Sequence, residues 1–221
     1  MNNLINQINY IIDEKPEICI VLGSGLDNFI EKLQNIKILD YGDILGFPKT
    51  KVAGHIGQFV FGYLNKKPIL CAKGRFHYYE GHTLDDVGII IKIFNYFKPK
   101  KIIITNSCGC LRTDWDLGGF MLVEKFLDFS FIDSNKPKYY KLENKLKNNY
   151  KIYKGCYTYT IGPTYETDAE IKEIIELGGD AVGMSTFPEY LMCEKLKIKP
   201  LIISCLTNYG AGLVKNKIKH E

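Results

Sequence analysis

The chain has 221 residues, 46% of them hydrophobic, and a formal net charge of +4 at pH 7. That length and content suit one globular domain with a full core. The small charge is spread along the chain, which argues against a nucleic-acid partner, and no apolar run is long enough to span a membrane.

Apolar runs alternate with helical patterns from end to end of the sequence. A strand at 18–22 leads into Gly23-Ser24-Gly25 and a helix to about Leu33, and the runs at 58–64 and 68–72 predict a hairpin. Later strands and helices are predicted in the same way, from apolar runs and from apolar residues at helical spacing. We predict strands near 101–105, 157–161, 180–182 and 201–206, helices at 84–97, 168–177 and 188–196, and an exposed helix with its flanks in the lysine-rich segment 136–154.

The alternation of strands and helices predicts an α/β fold with a mainly parallel or mixed sheet. No repeat, linker or low-complexity tract divides residues 1–221, so we expect a single domain. Seven cysteines without a signal peptide predict reduced, mostly buried thiols and a cytoplasmic location. The pair Cys108 and Cys110 lacks the further ligands of a zinc site, so no metal is expected.

Small, polar or turn-forming residues follow the predicted strands. In α/β sheets, ligands bind outside the carboxyl ends of the strands. Each of these segments alone is an ordinary turn, but together they favour a ligand pocket. The segments are Gly23-Ser24-Gly25, Asn106-Ser107, 162–166, 183–186 and Thr207-Asn208.

Arginine is rare in this chain, which has 27 lysines and two arginines. A guanidinium binds phosphate or carboxylate through two parallel hydrogen bonds, which a lysine cannot reproduce. Arg75 lies close to His77, Tyr79 and Glu80, just after an apolar strand. A surface arginine in a loop is the alternative, but this polar cluster favours an anion site.

Seven motifs, in order, resemble those of the trimeric class of purine nucleoside phosphorylases over about residues 18–221. They lie at 21–26, 54–57, 74–81, 105–106, 162–167, 179–189 and 207–208. The resemblance implies a single α/β domain whose mixed twisted sheet is distorted toward a barrel, with helices packed around it, in a homotrimer. It also implies purine salvage by reversible phosphorolysis of inosine or guanosine to the free base and ribose 1-phosphate, with no cofactor beyond the co-substrate phosphate.

The resemblance assigns roles to individual residues. Phosphate would be bound by Ser24, Arg75, His77, Ser185 and the backbone amide of Ser107. Ribose would be lined by Tyr79 and Met184, and oriented by His220.

The base would contact Tyr165, Glu166 and Asn208, and His77, Glu166 and Asn208 would be the catalytic residues. Asn can donate to N7 and O6 of a 6-oxopurine while Glu accepts from N1–H. An Asp at position 208 would instead favour 6-aminopurines, as in methylthioadenosine phosphorylases.

The chain also departs from the family pattern. Cys110 replaces a glycine and could disturb a turn. The loop near 129–138 is short, with Phe131 as a possible replacement for the covering aromatic residue, and the C-terminal helix is truncated at His220-Glu221. His82 has no family role and is expected at the surface.

These departures keep open the alternative of an inactive or binding-only homologue. A methylthioadenosine-type phosphorylase is a second alternative, and Glu166 with Asn208 counts against it. A plain nucleotide-binding module is disfavoured, because it would give Glu166 and Asn208 no common role.

Overall fold

A computed structural model describes residues 1–49, 57–143, 146 and 151–214. The chain forms two compact units. The first contains Met1–Thr105 and Pro188–Leu201, and the second contains Asn106–Phe187 and the residues from Ile202 onward. That they constitute one domain stays a prediction.

The first unit is built on a sheet of five strands in the order β2-β3-β4-β1-β5. The hairpin β3–β4 and its neighbour β2 are antiparallel, whereas β4, β1 and β5 are parallel. Asn65 and Lys66 join the hairpin with φ of 50° and 64°, the pattern of a type I′ turn. The strands are β1 (Ile18–Leu22), β2 (Gln34–Asp40), β3 (Gln58–Leu64), β4 (Lys67–Lys73) and β5 (Lys101–Cys110).

The second unit contains a closed barrel of five strands. Starting from the last part of β5, the order is β5-β9-β8-β6-β10, and β10 pairs again with β5. The short strand β7 pairs with β6 outside this ring. The strands are β6 (Phe120–Asp128), β7 (Lys138–Lys141), β8 (Tyr153–Tyr159), β9 (Ala181–Gly183) and β10 (Leu201–Tyr209). The predicted mixed sheet distorted toward a barrel is therefore confirmed.

Five α-helices accompany these strands in the described part of the chain. Their bounds are α1 (Asn2–Ile8), α2 (Leu84–Val87), α3 (Ile89–Phe97), α4 (Asp168–Glu176) and α5 (Phe187–Lys195). Each of α2 and α4 begins with a capping box, in which a threonine and an acidic residue three positions later bond each other's backbone amides.

Gly88 separates α2 from α3 and lies against α5. A Cβ atom at this position would come within 2.8 Å of Cε of Met192 and within 2.9 Å of its Cβ, which cannot move without the helix backbone. Real Cβ atoms do not approach another carbon so closely. Only glycine therefore allows the present distance between the α2–α3 junction and α5. The helix predicted over 84–97 is thus two helices that meet at a packing glycine.

Most predicted elements are confirmed within a few residues, but three differ besides the divided helix at 84–97. The residues after Gly25 form a 3-10 helix, Asp27–Lys32, rather than an α-helix. The segment expected as an exposed helix contains strand β7, which pairs with β6, so that prediction was wrong for its described residues. Strand β5 continues five residues beyond the predicted end, so Cys110 lies in a strand paired with Ala181 and not in a turn.

Within the described ranges, no helix is long and apolar enough to cross a membrane.

Candidate functional site

The turn after β1 is fixed to strand β5. The amide of Gly23 donates to Oγ1 of Thr105 at 3.0 Å, and that hydroxyl donates to the carbonyl of Val21 at 2.8 Å. Gly25 has a φ of +77°, in the left-handed region that favours glycine. Ser24 is therefore exposed at the carboxyl end of β1 on a turn that the sequence makes rigid.

Arg75 is a buried arginine, 7% exposed, held on two sides. Its Nη2 donates to the backbone carbonyl of Thr105 at 2.6 Å, and its Nε lies 3.4 Å from Oε1 of Glu189. Both partners belong to regular elements, β5 and α5. The fold therefore fixes the plane of the guanidinium, as bidentate binding of an oxyanion requires.

His77 is held by the carboxylate of Glu80. Oε1 of Glu80 accepts from the backbone amide of His77 at 2.9 Å and lies 3.0 Å from its Nδ1. The two residues form a capping box around the 3-10 helix Tyr78–Glu80. A buried carboxylate at Nδ1 fixes the ring and directs Nε2 to the opposite side, where it can bind a ligand.

Aromatic rings pack on both sides of this segment. Tyr79 stacks on His77 with ring centroids 4.9 Å apart, and Phe76 stacks on Tyr41 at 5.8 Å. Burial raises the pKa of Tyr41 well above its ordinary value. The aromatic residues packed against this segment therefore exclude water from the hydroxyl of Tyr41. His82, expected at the surface, is instead mostly buried, because its ring packs edge-on against Phe76.

In the second unit, a buried hydrogen bond joins the middle of β5 to the residues after β9. Nδ2 of Asn106 donates to Oγ1 of Thr186 at 3.0 Å, and both residues are buried. Ser107 follows Asn106 in the chain, and the Oγ of Ser185 lies 3.3 Å from Oγ1 of Thr186. The predicted Ser107 and Ser185 are thus the chain neighbours of the two residues that this bond joins, and the half-buried Met184 precedes Ser185.

Glu166 is anchored by Thr160 just after β8. The threonine hydroxyl donates to Oε1 of Glu166 at 2.6 Å. The neighbouring Tyr165 is exposed by 47%, and partial burial followed by the charge of Glu166 raises the pKa of its hydroxyl. Because a carboxylate accepts several hydrogen bonds, Glu166 can keep this one and accept another from a ligand.

Asn208 lies on β10, half-buried, beside Gly109 of β5. Its Nδ2 donates to the carbonyl of Tyr209 at 3.1 Å, and its Oδ1 accepts from the hydroxyl of Thr207 at 3.0 Å. A Cβ at Gly109 would be 3.6 Å from this Nδ2, an ordinary van der Waals distance, so the two residues are direct neighbours. Glu166 and Asn208 thus have separate anchors, Thr160 for one and strand β10 for the other.

Some predicted features are not described by the structure or stand apart. His220 lies outside the described residues, as do positions 54–56 of the motif at 54–57 and the residues after 214. In the loop near 129–138, Phe131 is 48% exposed and packs against Phe129, with centroids 4.9 Å apart. Among the described residues, no group of three or more His, Cys, Asp or Glu side chains could hold a metal ion.

The profile of the Phosphorylase superfamily matches residues 17–221. The chain belongs to this family. Within it, the chain is similar to purine nucleoside phosphorylase 1 of Bacillus subtilis, with 32% identity over 95% of the chain and 85% of the relative.

Solved structures agree with this placement. Purine nucleoside phosphorylase of Schistosoma mansoni, in complex with inosine, superposes with a TM-score of 0.81 at 26% identity, covering 100% of this chain and 86% of the other. The complex of the same protein with adenosine gives a TM-score of 0.82 at 26% identity, with coverages of 100% and 87%. A purine nucleoside phosphorylase bound to ribose 1-phosphate gives 0.79 at 27% identity, with coverages of 95% and 87%.

Sequence reasoning gave no role to two residues of this phosphorylase that the structure places next to predicted ones, although it counted Glu80 in the polar cluster around Arg75. Glu80 stands three positions after His77, the spacing of a capping box, so a local signal for it existed. Glu189, the ionic partner of Arg75, is far from it in the sequence; it ends the motif at 179–189 and lies in the first turn of a helix.

Proposed function

We propose that this phosphorylase cleaves inosine and guanosine with inorganic phosphate, giving the purine base and ribose 1-phosphate. The observation that carries the proposal is Arg75, an arginine in a lysine-rich chain, buried and held in a fixed plane by Thr105 and Glu189. Membership in the family supplies the reaction, and this guanidinium supplies the means of binding its anionic co-substrate.

The phosphate-binding residues we assign are Ser24, Arg75, His77, Ser185 and the backbone amide of Ser107. Donors of these types replace the water around the phosphate and keep its charge available. The C1′–N9 bond breaks with its electron pair going to the purine, and a phosphate oxygen then bonds to C1′. The intermediate positive charge on the ribose resembles that of glycoside cleavage, where an adjacent anion stabilises it.

The base-binding residues we assign are Tyr165, Glu166 and Asn208. The leaving purine gains negative charge, and the amide of Asn208 can donate to N7 and O6 to stabilise it. Glu166, held by Thr160, accepts from N1–H, and Tyr165 supplies an aromatic surface. Tyr79 and Met184 are proposed to line the ribose, and His220 to orient it.

A phosphate-dependent assay tests this function. The pure protein is incubated with inosine, with and without phosphate, and hypoxanthine and ribose 1-phosphate are measured. Release of both products only with phosphate supports phosphorolysis, and release of hypoxanthine without phosphate would show hydrolysis instead. Binding of phosphate without product would support a binding-only homologue.

The same assay with methylthioadenosine separates the remaining alternative. Relatives have been solved with inosine and with adenosine, so binding alone does not decide the base, and rates must be compared. We propose that inosine is the better substrate because position 208 is Asn. Faster cleavage of methylthioadenosine would favour the methylthioadenosine-type enzyme.

We also propose that the protein acts as a homotrimer, in purine salvage in the cytoplasm, without a metal or organic cofactor. Light scattering coupled to size exclusion checks the assembly: a homotrimer has three times the chain mass of 25.3 kDa. Full activity after treatment with EDTA and gel filtration is the expected result for the cofactor prediction.

A further inference from the structure

We propose that Glu189 is a built-in counter-charge of Arg75 that limits how tightly the protein binds phosphate. The inference rests on the proposed function, because it takes Arg75 as a phosphate ligand. It concerns a residue that touches neither phosphate nor nucleoside in our assignment, and so it makes Glu189 a positioning residue.

The geometry places a buried carboxylate beside Nε of the guanidinium. Glu189 is 0% exposed, and its Oε1 lies 3.4 Å from Nε of Arg75, while Nη2 of the same arginine is bonded to Thr105. Burial raises the pKa of Cys193 and Tyr41, and in each case the Glu189 charge adds to the effect, which places the carboxylate close to both groups. The surroundings of the pair are therefore poor in water.

Because the pair is buried, the charges of Arg75 and Glu189 affect each other strongly. An isolated guanidinium away from water is strongly disfavoured, so without phosphate the charge of Arg75 needs a fixed partner. The position of Glu189 in the first turn of α5 favours its own negative charge. The pair is thus stable before any ligand arrives, with the guanidinium already oriented.

Binding of phosphate changes the balance. The phosphate dianion and the carboxylate then share one guanidinium, and two like charges repel each other more strongly in a medium of low dielectric than in water. Glu189 therefore orients Arg75 and at the same time weakens its attraction for the anion. The same repulsion acts on ribose 1-phosphate, and so it favours release of the product.

The test separates charge from shape with two substitutions at one position. Glu189→Gln keeps the size and an oxygen atom beside Nε but removes the charge, whereas Glu189→Ala removes both. The control is Glu194→Gln, which removes the same charge from an exposed position on the same helix. Binding of inorganic phosphate is measured by isothermal titration, alongside the phosphorolysis assay.

We expect Glu189→Gln to bind phosphate at least about threefold more tightly than the parent, with slower release of ribose 1-phosphate and a lower kcat. Glu189→Ala is expected to bind more weakly, since Arg75 loses its orientation, and Glu194→Gln to match the parent. An unchanged or weaker affinity in Glu189→Gln overturns the inference. A pair that only stabilises the fold would give that result.

Thermal unfolding provides a second readout in case Glu189→Gln is unstable. The unbalanced Arg75 should lower Tm without phosphate, and added phosphate should raise Tm more in this variant than in the parent. A variant that folds only with phosphate supports the inference, and one that stays unfolded with phosphate overturns it. If the parent itself neither binds phosphate nor releases hypoxanthine, the proposed function fails first and the inference with it.

Discussion

Replacing Arg75 with lysine should weaken phosphate binding while leaving nucleoside binding nearly unchanged. Arg75 bonds Thr105 through Nη2 and faces Glu189 through Nε, so its plane is set before phosphate arrives. The single ammonium of a lysine keeps the charge but cannot satisfy these two partners and two phosphate oxygens from one position.

The size of the effect follows from the hydrogen bonds lost. One hydrogen bond to a charged group contributes about 1.5–3 kcal/mol, so losing one bond to phosphate raises its KM roughly 10- to 150-fold. The assay follows hypoxanthine release while phosphate is varied at saturating inosine, and then the reverse. A phosphate KM within about twofold of the parent would refute the role of Arg75.

The second arginine provides a matched control. Arg112 is an exposed residue whose guanidinium pairs with Asp114 and Asp180, at 3.0 and 3.2 Å. Arg112→Lys makes the same chemical change at a position without an assigned ligand, so both KM values should stay at the parent's level. Equal losses in both variants would point to a general effect of arginine removal.

Four further predictions test other parts of the structure. Asn208→Asp should shift the ratio of kcat/KM values toward adenosine by supplying an acceptor for the 6-amino group, and an unchanged ratio would contradict the assignment. Glu80→Ala should raise the phosphate KM by releasing the ring of His77, with a smaller effect expected for Glu80→Gln; kinetics with varied phosphate decide this. Phe94→Ala should lower the free energy of unfolding by about 3–5 kcal/mol in urea titrations, because the ring is 0% exposed. Burial raises the pKa of Cys71 to about 12, so its thiol should resist a disulfide reagent at pH 8 until the protein unfolds; rapid labelling of the native protein would show that the thiol is accessible.

The sequence predicted best those elements whose patterns are local. Strand β1 and the hairpin β3–β4 are apolar runs bounded by turn residues, and α4 begins at a capping box, so neighbouring residues determine each of them. Strand β2 was missed because its residues are mostly exposed and polar, and only pairing with β3 makes it a strand. Strand β6 was missed because its apolar run is interrupted near Glu124, where the register with β8 shifts.

The candidate site shows the same division between local and distant determinants. Arg75 and His77 were identifiable from one short segment, whereas Glu189 gains its meaning from a contact with a residue far away in sequence. The extension of β5 through Asn106 also depends on partners, since polar residues continue the strand only because β9 and β10 lie beside it. The hydrophobic periodicity of a sequence does not predict contacts between residues that are far apart in the chain.

The glycine between α2 and α3 determines how closely this part of the chain can pack against α5, the helix that carries Glu189. Any side chain at Gly88 meets Met192, which stands one turn after Glu189 on α5. A displaced α5 would carry the carboxylate away from Arg75, whose partner on β5 would stay in place. A substitution at position 88, which has no assigned ligand contact, is therefore expected to change the affinity for phosphate.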